Sequence, residues 1–131
     1  MTGAPSDRSK RPVVVVIDGD AAVAHALKFR FELEGFDVRV DDDARTLLAL
    51  GMIPDDACLV VDYAVPGTDG LQLLLALREA GLKAPAVMTA TNPSTNLRAR
   101  ALAAGVTLVE KPLLNDALLM AVRSALILKI I

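Results

Sequence analysis

Three charged residues stand directly beyond short apolar runs. Asp18 follows Val13-Val14-Val15-Val16-Ile17, Asp62 follows Cys58-Leu59-Val60-Val61, and Lys111 follows Val106 to Val109 and precedes Pro112. Two carboxylates and one ammonium brought together form a set suited to phosphate chemistry. A carboxylate oxygen can attack phosphorus and form an acyl phosphate. The approach of a phosphoryl group calls for a Mg²⁺ ion held by carboxylate and carbonyl oxygens to offset negative charge. A lysine ammonium then acts as a point charge on a phosphoryl oxygen.

The elements that must gather these residues are legible as an alternation. Val13 to Ile17 is β-branched throughout, as a strand buried on both faces should be. Asp20 can cap a helix carrying Val23, Leu27 and Phe31 and closing at Gly35. Phe36 to Val40 reads as a second strand, and Asp43 as the cap of a short helix with Leu47, Leu48 and Leu50 that stops at Gly51. Cys58 to Val61 forms the third strand. The turn Pro66-Gly67-Thr68-Asp69-Gly70 leads into a helix over Leu71 to Ala80. Pro85 opens a fourth strand through Thr89, Asn92-Pro93-Ser94 starts a helix with Leu97, Ala101 and Ala104 on one face, and Val106 to Val109 is the fifth strand. A last helix is capped by Asn115 or Asp116. Five strands alternating with five helices predict an α/β, doubly wound parallel sheet. In such a sheet ligands bind beyond the carboxyl ends of the strands, where Asp18, Asp62 and Lys111 fall.

Residues 1–12 read as a polar tail and 13–131 as one domain. The chain is 131 residues long and 53% apolar, which allows one sizeable core and excludes a disordered protein. A net charge of −2 gives no support for nucleic-acid binding through a basic face. No apolar segment is long enough for a signal sequence or a membrane span, so a cytoplasmic protein is expected. The lone Cys58 reads as a buried, inert thiol.

With these residues in place the chain resembles a two-component response-regulator receiver domain of flavodoxin-like fold. The resemblance runs from about Val13 to Leu126. It is carried most specifically by Leu59-Val60-Val61-Asp62-Tyr63-Ala64-Val65-Pro66-Gly67-Thr68-Asp69-Gly70 and by Lys111-Pro112. It implies that Asp62 is the phosphoacceptor, that Lys111 pairs with the phosphate across a cis Lys111-Pro112 bond, and that Ala64 offers its backbone carbonyl to Mg²⁺. Asp18 and Asp62 would be carboxylate ligands. The implied partners are a histidine kinase or phosphotransfer protein upstream, and a protein partner or second copy meeting the fourth helix, fifth strand and fifth helix.

Three positions depart from the family pattern. Gly19 stands where a second acid usually ligates the metal; Asp20 is either a substitute ligand or a helix cap. The hydroxyl after the fourth strand falls on Ala90 when counted forward from Pro85 and on Thr89 when counted back from Lys111. The forward count is preferred because length changes are easier in the following loop, and Thr91 stands beside it. Leu108 occupies the position of the aromatic switch residue. These departures keep a second reading open, a degenerate pseudo-receiver that binds a partner without being phosphorylated.

Asp18-Gly19-Asp20 also resembles the first motif of haloacid-dehalogenase-type phosphatases. That family needs later acids beyond its lysine, and only Asn115 and Asp116 follow Lys111. His25, the acids Asp41 to Asp43, and Asp55 and Asp56 read as solvated, as do Arg98 and Arg100. On the last helix Ala117, Leu118, Ala121, Val122, Ala125 and Leu126 make a core face. Leu119, Met120, Ile127, Leu128, Ile130 and Ile131 are then an apolar surplus that a partner or second copy could cover.

Overall fold

The computed structural model describes residues 11–41, 44–111 and 116–130, and the side chains of all of these but 129 and 130. The expected Asp43 and Asn115 caps, the Lys111-Pro112 bond, the first ten residues of the tail and the terminal Ile130 and Ile131 side chains lie outside that description.

Five parallel strands form one sheet: β1 (Val13–Ile17), β2 (Asp37–Val40), β3 (Cys58–Asp62), β6 (Ala86–Thr91) and β7 (Thr107–Lys111), in the order β2-β1-β3-β6-β7. The chain steps outward from β1 to β2 and then back across β1 to β3. The reversal of direction therefore falls between β1 and β3, where Asp18 and Asp62 emerge. The helices are α1 (Ala21–Leu33), α2 (Ala44–Ala49), α3 (Gly70–Glu79), α4 (Thr95–Ala103) and α5 (Ala117–Ile130).

Because successive strand residues point to opposite faces, the runs of valine feed two cores at once. Val14, Val16, Val60 and Val87 pack with Ala24, Leu27 and Phe31 of α1 and with Leu118, Leu119 and Val122 of α5. Val15, Ile17, Leu59, Val61 and Met88 face the other way, onto Leu71, Leu74 and Leu77 of α3 and Leu97 and Ala101 of α4. Phe31 and Phe36 meet edge to face, 5.5 Å between ring centroids, where α1 returns to the sheet. Asp20 caps α1, its carboxylate accepting from the backbone N–H groups of Ala22 and Val23. Ser94 caps α4 through the N–H of Leu97.

The structure corrects several expectations. The turn after β3 is a small hairpin, β4 (Ala64–Val65) against β5 (Thr68–Asp69), closed by Pro66 and Gly67. On α5, Leu119 is in the core rather than surplus, and Ala117 is exposed rather than on the core face. A helix apolar on nearly every side carries no periodicity from which to read its inward face. Met120, Ile127 and Leu128 are exposed as expected. Leu50 also lies exposed, beyond the end of α2. Among the described residues no helix is long and apolar enough to cross a membrane.

Candidate functional site

The site is assembled at the carboxyl ends of four adjacent strands. Lys111, closing β7, reaches across β6 to both acids: its Nζ lies 3.1 Å from Asp18 Oδ2 and 3.2 Å from Asp62 Oδ1. The Asp18 and Asp62 side chains retain only 3% and 10% of their exposure. Two nearly buried carboxylates therefore share one ammonium. Burial alone would lower the Lys111 pKa, but the hydrogen bond to Asp18 and the charges of Asp62 and Asp18 outweigh it and hold the lysine above its ordinary value.

Thr89 supplies the hydroxyl. It pairs in register with Asp62 across β3 and β6, and its Oγ1 donates to Asp62 Oδ1 at 3.1 Å. Ala90 instead turns into the α3 and α4 core, and Thr91 is exposed. The preference for Ala90 is therefore overturned: the backward count finds the hydroxyl, because strand pairing rather than distance from Pro85 sets which residue meets Asp62. Thr89→Val, which keeps the shape and leaves Asp62 with one donor fewer, is expected to cost about 1–2 kcal/mol, read as a lower urea midpoint at unchanged slope.

Asp62 Oδ1 is thus held by Thr89 and Lys111, while Oδ2 has no partner among the described residues. That is the arrangement of a carboxylate fixed by one oxygen and free to react through the other. Asp18 is fixed likewise, Oδ1 accepting the Asp20 N–H at 2.9 Å and Oδ2 facing Lys111.

Asp20 does not join the set. Its carboxylate caps α1, and among the described residues no three acidic, histidine or cysteine side chains converge closely enough to hold a metal. The oxygen donors left for a divalent cation are Asp18, Asp62 and the Ala64 carbonyl, which the hairpin carries up to Gly19. Hard oxygen donors of this kind suit Mg²⁺, which is commonly held by one or two carboxylates together with phosphate and water. A cleft of about 720 Å³ opens beside Asp18 and Gly19, lined also by His25, Arg45 and Pro66.

Gly70 is a positioning residue that motif reading found only as part of a turn. It packs directly on the Asp62 backbone and donates its N–H to the Tyr63 carbonyl at 2.7 Å. Leu108 packs partly buried against the α3 and α4 core. Glu110, its neighbour but one, pairs with Arg98 of α4 at 3.0 Å, and both side chains stay half exposed, so Arg98 is solvated as expected while holding a surface ion pair. Cys58 is buried, and burial pushes its thiol up to about 12, in keeping with an inert group. Asp116 pairs with Arg30 on α1 rather than with the site.

The family model for the response regulator receiver domain matches residues 14–123. The chain belongs to the response regulator receiver domain family. Receiver domains are signalling modules of two-component systems rather than turnover enzymes, and they generally bind Mg²⁺ at an acidic phosphorylation site. This receiver is 34% identical over 114 residues to the C4-dicarboxylate transport transcriptional regulatory protein DctD of Pseudomonas aeruginosa, a match covering 86% of this chain and 25% of that protein. It is 33% identical over 114 residues to the transcriptional regulatory protein FixJ of Azorhizobium caulinodans, covering 86% and 54% respectively. The chain therefore spans between a quarter and about half of these curated relatives. The receiver domain of the Francisella response regulator 1452 superposes with a TM-score of 0.76 at 29% identity, covering 88% of this chain and 97% of that one.

Proposed function

We propose that this receiver takes a phosphoryl group from the phosphohistidine of a kinase or phosphotransfer protein onto Asp62, and passes the signal on through protein contacts. The observation that carries the reading is the asymmetric holding of Asp62, with Oδ1 fixed by Thr89 and Lys111 and Oδ2, without a partner among the described residues, open to attack phosphorus. As the new P–O bond forms, the bond from phosphorus to the donor nitrogen breaks and its electron pair stays on that nitrogen; the donor ring, protonated on its other nitrogen beforehand, departs as neutral imidazole. Lys111 and the Thr89 hydroxyl stand where the phosphoryl oxygens arrive. Bound Mg²⁺, held by Asp18, Asp62 and the Ala64 carbonyl, would supply charge neutralisation.

The same set favours a phosphoacceptor over an interaction module, since a module that only docks has no use for a lysine and a hydroxyl aimed at one carboxylate. Output through α4, β7 and α5 is supported by Leu102, Met120, Ile127 and Leu128, apolar side chains that stand exposed on α4 and α5. A cytoplasmic site of action goes with this reading.

Incubation with acetyl phosphate and Mg²⁺, followed by intact-mass measurement, is expected to show one phosphoryl adduct on the wild type and none on Asp62→Asn. An unmodified wild type, or an equal adduct on the variant, would overturn the proposal.

A further inference from the structure

Gly19 leaves the position directly after Asp18 without a side chain. A Cβ built there would lie 3.5 Å from the Ala64 carbonyl oxygen and 3.5 Å from Pro66 Cδ, ordinary contact distances. The Gly19 backbone is not in the left-handed region, so glycine is not required for conformation. The position is an open seat that points at an oxygen already in the donor set. Among the described residues no neighbouring acid fills it: Asp20 is committed to the N–H groups of Ala22 and Val23, and Asp18 is committed to the Asp20 N–H and to Lys111.

We infer that Gly19 limits the divalent-cation site of this receiver to two carboxylates, so that the cation is bound more weakly than an acid at position 19 would allow and Lys111 carries most of the neutralisation at Asp62. Asp18, Asp62 and Lys111 together hold a formal charge of −1, two carboxylates against one ammonium. A site of that charge attracts a divalent cation less than one with a third acid, because affinity follows the number of charged ligands. The Asp62 side chain is nearly buried, and its Oδ2, without a partner among the described residues, is left available to a cation. The inference rests on the phosphoacceptor reading for its purpose, though not for its measurement.

The test is a MgCl₂ titration followed by amide chemical shifts of residues 62–64 in the wild type, Gly19→Asp and Gly19→Asn, with no phosphodonor present. Gly19→Asp is expected to bind about tenfold or more tighter than the wild type, and Gly19→Asn to stay within about twofold of it. Equal affinities for wild type and Gly19→Asp, or an equal gain in Gly19→Asn, would overturn the inference. Should Gly19→Asp not fold, Asp18→Asn decides: loss of the Mg²⁺ shifts supports the two-carboxylate site, and their retention refutes it. A protein that gains affinity as expected yet forms no acetyl phosphate adduct fails the phosphoacceptor reading alone.

Discussion

Gly70→Ala is expected to destabilise the fold by about 3 kcal/mol, at the upper end of the usual cost of overpacking. The added methyl would run into the Asp62 carbonyl oxygen, and would stand 2.9 Å from the Asp62 carbonyl carbon and 3.0 Å from Tyr63 Cα. All three are backbone atoms of the segment that leaves β3, and none can rotate aside as a flexible side chain would. Relief requires separating the start of α3 from the strand, which also strains the Gly70 to Tyr63 hydrogen bond. Urea unfolding measures the loss. Gly19→Ala is the control, since its methyl meets only ordinary contacts, and it should stay within about 0.5 kcal/mol of wild type. Comparable losses in the two variants would show that close approach is not what requires glycine at position 70. Since the displaced atoms belong to Asp62 itself, Gly70→Ala should also slow adduct formation from acetyl phosphate in the folded fraction.

Lys111→Met should cost about 2 kcal/mol at neutral pH and change the shape of the alkaline stability profile. Removing the cation leaves the Asp18 and Asp62 carboxylates nearly buried with no opposite charge at contact distance among the described residues. Breaking a fully buried pair costs about 3–5 kcal/mol, and the value here is lower because Lys111 keeps some contact with solvent. The lysine is held above its ordinary value of 10.5 in the folded state, so it binds its proton more tightly there than in the unfolded chain. Its contribution is therefore fully present below pH 10.5 and is lost as pH rises through the raised folded value. Wild-type stability should fall more steeply than that of Lys111→Met across this window, and the two curves should converge. Parallel curves would mean that the lysine adds nothing to stability through its charge.

The fold was largely legible because its signals are local. Five β-branched or apolar runs, each closed by a turn or a cap, dictate the parallel alternation, and the ends of three of them place Asp18, Asp62 and Lys111 on one rim. What was not legible depended on pairing between distant segments. Counts along the chain disagree between Thr89 and Ala90, and only the register of β6 against β3 puts one at Asp62 and sends the other into the core. Asp20 has the chemistry of a ligand and of a cap, and the choice is made by the N–H groups at the start of α1. The β4 and β5 hairpin is too short for any residue pattern to announce it. Gly70 reads as a turn glycine, whereas its constraint is contact with a strand eight residues earlier in the chain.

The order of the strands has a mechanical consequence. Asp62 closes the middle strand of five, gripped from both sides by β1 and β6. Lys111 closes β7, a margin bonded to the sheet along one side only. The two charges that meet at the rim are thus mounted on parts of unequal stiffness. A load applied at Asp62 would meet two ladders of hydrogen bonds before it could shift β3. The margin with fewer bonds is β7, whose Glu110 pairs with Arg98 of α4. In a domain whose Leu108 has no aromatic ring to swing, a group added at Asp62 would therefore meet less resistance at the edge strand than at the centre of the sheet.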